Sequence, residues 1–175
     1  MISIIIAVIV ALVILLIIVA SNKPDEFRIE RQLVIDATPE KIFPLINDFS
    51  KWKLWSPWEK MDPDMERRYY GSEIGVGSIY EWEGNKKVGQ GRMELVEEEK
   101  FSRIFISLEF IKPFAAKNTA EFVFQTQGEN TNVIWAMEGK HQFIAKVMCT
   151  FMNMDKMVGK DFEEGLRNLK RIATE

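Results

Sequence analysis

Two hydrophobic periods divide this chain. Near its end Phe151, Met154, Val158, Phe162, Gly165, Leu169 and Ile172 recur at alternating steps of three and four, the spacing of one buried helix face. Lys156, Lys160, Glu163, Glu164, Arg167, Lys170 and Arg171 fall mostly on the other side. The pattern predicts one long amphipathic helix over Phe143–Thr174. Upstream the period is two. Tyr80 and Trp82 alternate with Glu81 and Glu83, Ala120, Phe122 and Phe124 with Glu121 and Gln125, and Val133, Trp135 and Met137 share a face. Strands are predicted over Phe27–Asp36, Glu66–Tyr70, Gly77–Glu83, Gly89–Glu97, Arg103–Phe110, Thr119–Thr126 and Asn132–Glu138. The turns between the last six are short, which favours antiparallel hairpins. A sheet with one apolar face and a helix with one apolar stripe bury each other. The expectation is an α+β domain whose curved antiparallel sheet of about seven strands wraps around the C-terminal helix.

Two stretches stand outside that alternation. Ile2 to Ala20 is almost wholly Ile, Val, Leu and Ala, with no charged side chain before Lys23. At about 1.5 Å per residue it reaches roughly 28 Å, close to the hydrocarbon thickness of a bilayer. It reads as a retained transmembrane anchor over residues 1–21, followed by a short polar linker over 22–26. The competing reading, a cleaved signal peptide, would call for a basic leading segment and a shorter apolar run. Lys23, Arg28 and Arg31 follow the span and lean the domain of residues 27–175 toward the cytoplasm. The second stretch opens with Thr38-Pro39-Glu40, a helix start with Thr38 as cap and Pro39 in the first turn. Pro44 is expected to kink or shorten that helix. After it comes Phe49–Trp58 with Trp52, Trp55 and Trp58, read as a lid under the sheet edge or a set of membrane-interface anchors.

Composition narrows the function classes. A net charge of −3 and a pI near 5.4 argue against nucleic acid as a partner, which would call for a basic face. The single cysteine, Cys149, excludes an internal disulfide and agrees with a reducing compartment. It reads as a small core residue. His141 is the only histidine, so a two-His metal site is not expected, and neither a metal nor a cofactor is implied. Gly75-Val76-Gly77 and Gly89-Gln90-Gly91 lead into strands, not helices, so they read as turns and close approaches, not phosphate loops. Gly89 and Gly91 fall on the predicted inner face, where a missing side chain would make room for a helix or a ligand. The Glu97-Glu98-Glu99 run reads as a solvated hairpin.

The strand–helix–sheet–helix order resembles the helix-grip fold of the START-like (SRPBCC) superfamily. Three local patterns are similar to its polyketide cyclase/dehydrase-like bacterial branch. These are Asp36–Phe43 at the helix start, Asn47-Asp48-Phe49 running into Trp52 and Trp55-Ser56-Pro57-Trp58, and Asp161–Lys170 in the closing helix. The resemblance implies a hydrophobic ligand held between sheet and helix, in a family of which only some members are enzymes.

Candidate lining residues are Trp55, Trp58, Tyr69, Tyr80, Trp82, Met93, Phe122, Trp135, Met137, Met148, Met152 and Phe162, an adaptable apolar set. The same residues would equally make a dry core. The reading is a membrane-anchored, non-catalytic binder of a hydrophobic small molecule or lipid. A cyclase or dehydratase would need inward polar groups, with Tyr69, Tyr80 and Arg92 the nearest candidates and Arg92 alternating to the wrong face. A protein-interaction module is the third reading.

Overall fold

The computed structural model describes residues 1–141 and 143–175. Period-two segments form seven strands: β1 (Glu26–Ile35), β2 (Glu66–Gly71), β3 (Ser78–Glu83), β4 (Gln90–Glu99), β5 (Arg103–Lys112), β6 (Ala116–Gln127) and β7 (Asn130–Lys140). They make one antiparallel sheet in the order β1-β7-β6-β5-β4-β3-β2. Strands β2 to β7 are therefore a meander of hairpins, and β1 closes beside β7, its partner from the other end of the domain. Register shifts at Gln90/Gly91 and Leu95/Glu97 bulge β4, which bends a sheet that must curve around a helix.

The chain crosses from β1 at one edge to β2 at the other through α2 (Pro39–Ile46), a 3₁₀ turn (Phe49–Lys51), and the single turns α3 (Trp52–Trp55) and α4 (Trp58–Met61). Thr38 stands at the N-cap of α2 but its side chain accepts no cap bond, and the helix continues through Pro44 to Ile46. Trp52 and Trp55 are in the core, neither edge lid nor membrane anchors. Their indole N–H groups donate to the carbonyls of Ile46 and Leu45 at 2.8 Å, so each ring is buried without stranding its one polar atom.

The predicted single C-terminal helix is two, a correction. α5 (Phe143–Phe151) ends before Asn153, whose side chain accepts from the Lys156 N–H and starts α6 (Met154–Thr174). An Asn cap with Asp155 in the first turn is a new helix start. The predicted seam holds in α6, where Phe162, Gly165, Leu166 and Leu169 are buried, and fails at Phe151, which is 74% exposed. Met148 and Met152 are exposed on or just after α5, and Cys149 is half-buried with its Sγ 3.8 Å from the Met154 Sδ.

α6 runs alongside β1 in the same direction. Arg31 bonds Asp155 and Glu163 near its start, and Lys170 reaches the Val34 carbonyl and Asp36 near its end. Gly165 lets it come close: a Cβ there would lie 2.7 Å from Trp135 Cζ3. At the opposite end of the chain, α1 (Ile2–Ser21) is apolar on every side and nearly all exposed. It is long and apolar enough to cross a membrane.

Candidate functional site

The inner face of the sheet is a set of rows running across the strands. One row joins Ile104, Phe122, Trp135 and Arg31 as successive partners. Here α6 closes on the sheet. The Trp135 and Phe162 rings stack at 4.1 Å and 7°, Phe122 stacks on Trp135 at 4.9 Å, and Trp55 and Trp58 meet Trp135 edge-on. Offset stacks and T-shaped contacts of this kind fill space with little void. Five of the predicted lining residues, Trp55, Trp58, Phe122, Trp135 and Phe162, thus meet one another in a packed pile.

Two residues along each strand toward α1, the packing loosens. Leu95, Ile106, Ala120, Met137 and Ile29 form the next row, followed by Tyr69, Tyr80, Met93, Leu108, Asn118, Gly139 and Phe27, which crosses all seven strands. Exposure climbs along this direction. On β5 it is 0% at Ile104 and Ile106 and 9% at Leu108, with Phe110 only half-buried. On β6 it is 0% at Phe122, 5% at Ala120 and 9% at Asn118, with Ala116 half-buried. α6 begins beside Arg31, so these outer rows lie past its first turn. Exposure on the inner face therefore rises from the Phe122–Trp135 row toward α1.

Polar atoms are sparse on this opening face. The buried Asn118 Oδ1 has no hydrogen-bond partner among the described residues, and its Nδ2 reaches only the Met137 Sδ at 4.0 Å. A buried carbonyl oxygen without a donor costs about 1–3 kcal/mol. Trp135 Nε1 is likewise buried and without a partner among the described residues.

A second polar group sits at the β3 side. The Tyr80 hydroxyl donates to Glu59 Oε1 at 2.6 Å, and Arg67 Nε donates to Glu59 Oε2 at 2.6 Å. Burial, with the hydrogen bond to Glu59 and its charge added, pushes the Tyr80 phenol well above its ordinary value. Burial does the same, less strongly, for Tyr69, whose ring stacks on Tyr80 at 5.2 Å. Tyr80 is therefore a held hydrogen-bond donor that keeps its proton. Arg92 lies on the outer face, paired with Glu94 and Glu81. Nothing in the local sequence marks Glu59, whereas Asn118 continues the inward alternation of Ala120, Phe122 and Phe124 and lies just before the strand expected over Thr119–Thr126.

Tyr80, Trp82, Met93 and Met137 lie on the opening rows. Gly91, expected to leave room, has that room filled by the Trp82 ring, which a Cβ at this position would overlap. Tyr69 also lines a cleft of about 330 Å³ at the β2 edge with Asp48, Ser50, Ile74 and Ser78. Met148 and Met152 are not part of the pile; they belong to the α5 segment.

The family described as polyketide cyclase/dehydrase and lipid transport matches residues 26–174. The chain belongs to that family. Its seven-stranded antiparallel sheet and long closing helix fit the helix-grip fold of the SRPBCC superfamily. Among solved structures, the domain is similar to the di-domain ARO/CYC StfQ from the steffimycin biosynthetic pathway, at TM-score 0.64 and 10% identity, over 85% of this chain and 51% of that one. It is also similar to TTHA0849 from Thermus thermophilus, at 0.60 and 17% over 85% and 97%, and to CV1439 from Chromobacterium violaceum, at 0.58 and 14% over 87% and 99%. Identities this low speak for the fold alone. A comparison with curated protein sequences finds no match.

Proposed function

We propose that this protein holds a hydrophobic small molecule or lipid between its sheet and α6, at the end next to α1, without transforming it. The observation that carries this reading is the graded opening of an apolar face that ends on the unpaired Asn118 carbonyl. A largely apolar site with one or two placed polar groups is what a lipid-like molecule needs. The family's range, cyclases and lipid transport, agrees with such a cargo. Residues 1–21 anchor the protein in a membrane, 22–26 link, and 27–175 form the binding domain. The positive charges after the span favour the cytoplasmic side for that domain.

Native mass spectrometry of the full chain released from detergent tests this. The expected result is a co-purifying hydrophobic molecule that disappears in Leu108→Trp, where the added ring fills the opening row. An empty wild-type protein, with no change in tryptophan fluorescence on titration with phospholipids or aromatic polyketides, would overturn it.

A further inference from the structure

The α5 segment has an uncovered surface. Phe143, Ile144, Val147, Met148 and Phe151 lie along one side of it, and all but Val147 are exposed. The opposite side holds Lys146, buried and paired with Asp25 of the linker, and α5 packs against α1. On and just after α1 the residues with reduced exposure are Leu16, Ala20 and Lys23, at steps of four and three. The contact therefore covers only the last two turns or so of the helix, roughly 10 Å of its length. The His141 N–H donates to the Asp25 carbonyl at 2.8 Å, which fixes the start of this segment to the same linker.

The rest of that end points the same way. β1 begins there and β7 ends there, so the β3–β4 and β5–β6 turns lie at the same end of the sheet. The first turn carries the exposed Lys86 and Lys87, and the second carries exposed Phe114 between Lys112 and Lys117. Glu83 and Glu109 stand 3.5 Å from Lys112 and Lys117, and Asp62 accepts from the Asn85 N–H, so this charge is partly balanced. The far end carries Glu73, Glu97, Glu98, Glu99 and Glu129 in or beside its turns together with Lys100 and Arg103, and the α1 end holds Asp25, Glu26 and Glu66 besides its lysines.

We propose that the α1 end of the domain is a bilayer-docking surface. α5 lies in the boundary between headgroups and acyl chains beside the last turns of α1, and the two lysine-bearing turns rest on anionic headgroups. Interfacial helices settle about 5–10 Å into that boundary, the depth that the short overlap with α1 sets. Continuity of the exposed apolar α5 face with α1, and the exposed Lys86, Lys87 and Phe114 in the two turns at the same end, favour a lipid surface as occupant. The inference rests on the anchor reading, and it turns the opening of the interior toward the membrane.

Single-cysteine proteins in a Cys149→Ser background test it, each carrying an environment-sensitive fluorophore. The labelled sites are Phe151→Cys, Phe114→Cys, Glu129→Cys at the far end and Leu12→Cys in α1. All four positions are exposed, so folding is not at stake. The full chain is placed in phosphatidylcholine vesicles, with and without phosphatidylglycerol, containing doxyl lipids. Expected are a blue shift and quenching at 151 and 12, none at 129, and quenching at 114 that grows with phosphatidylglycerol. Quenching at 12 with position 151 as aqueous as position 129 would overturn the docking surface while keeping the anchor. Quenching at 151 without quenching at 12 would keep the surface and remove the anchor. A probe at 114 blind to phosphatidylglycerol would overturn the headgroup contact.

Discussion

The two ends of the interior are made of similar residues to different effect. At the far end, flat rings stack and Gly165 removes a side chain that would hold α6 away, so the apolar surface is buried against itself. At the α1 end, long flexible Met and Leu side chains lie beyond the start of α6, and an amide oxygen is buried with no donor among the described residues. The first arrangement is what stability asks for; the second leaves interaction energy for something else. A binding protein of marginal stability has to keep the two apart, so that occupancy of one end does not decide whether the fold survives.

Trp135→Ala should test that division hardest. It removes the centre of the pile and is expected to cost about 3–5 kcal/mol in urea unfolding of the full chain in detergent. Glu59→Ala should cost about 2–3 kcal/mol, because Tyr80 loses its acceptor and Arg67 its partner in a mostly buried setting. Gly165→Val comes next, at about 1–3 kcal/mol, since its side chain must displace Trp135 or α6. If the pile is the core and the α1 end is not, Trp135→Ala and Gly165→Val should lower stability more than they change retained ligand, whereas Glu59→Ala, which frees Tyr80 on the outer rows, should change both.

Asn118→Leu should do the reverse. Removing an unpaired buried carbonyl is expected to leave the empty protein equal in stability or up to about 1 kcal/mol more stable, while co-purifying ligand falls. Loss of stability with unchanged ligand would make Asn118 a part of the core after all. The smallest effect concerns pH. Arg31 holds the Asp155 carboxyl below its ordinary value of 3.8, so the pair's contribution is whole above that pH and fades as pH falls through the lower folded value. Asp155 is mostly exposed, so Asp155→Asn should change acid stability by less than about 1 kcal/mol, visible as a slightly flatter loss of stability below that ordinary value.

Much of this is readable from residue periods. Alternation along β3, β4, β6 and β7 sets both the strands and the face each side chain takes, Arg92 included, because a pleat leaves no choice once one face is buried. The stripe of α6 is readable for the same reason. The break before it is hidden because Met152-Asn153-Met154 continues the apolar rhythm, although Asn153 with Asp155 behind it is a helix start. Trp52 and Trp55 look amphipathic in sequence; in the fold their N–H groups find carbonyls one helix back, which removes the penalty of burying them. Glu59 sits between Trp58 and Lys60 like any surface acid. Its burial depends on Tyr80 and Arg67, which arrive from other elements, and no local pattern can report that.

The place of β1 beside β7 has a consequence for how the chain assembles. Its partners are separated from it by most of the domain: Glu26 pairs with Lys140. The β2–β7 hairpins close locally and early, whereas β1 must wait for the last strand, and contacts so distant in sequence slow folding. During synthesis, a chain whose apolar leader is already held at a membrane would keep β1 unpaired beside it until β7 and α6 arrive. The final step is then the pairing of β1 with β7, and any delay there leaves a strand edge exposed to other chains.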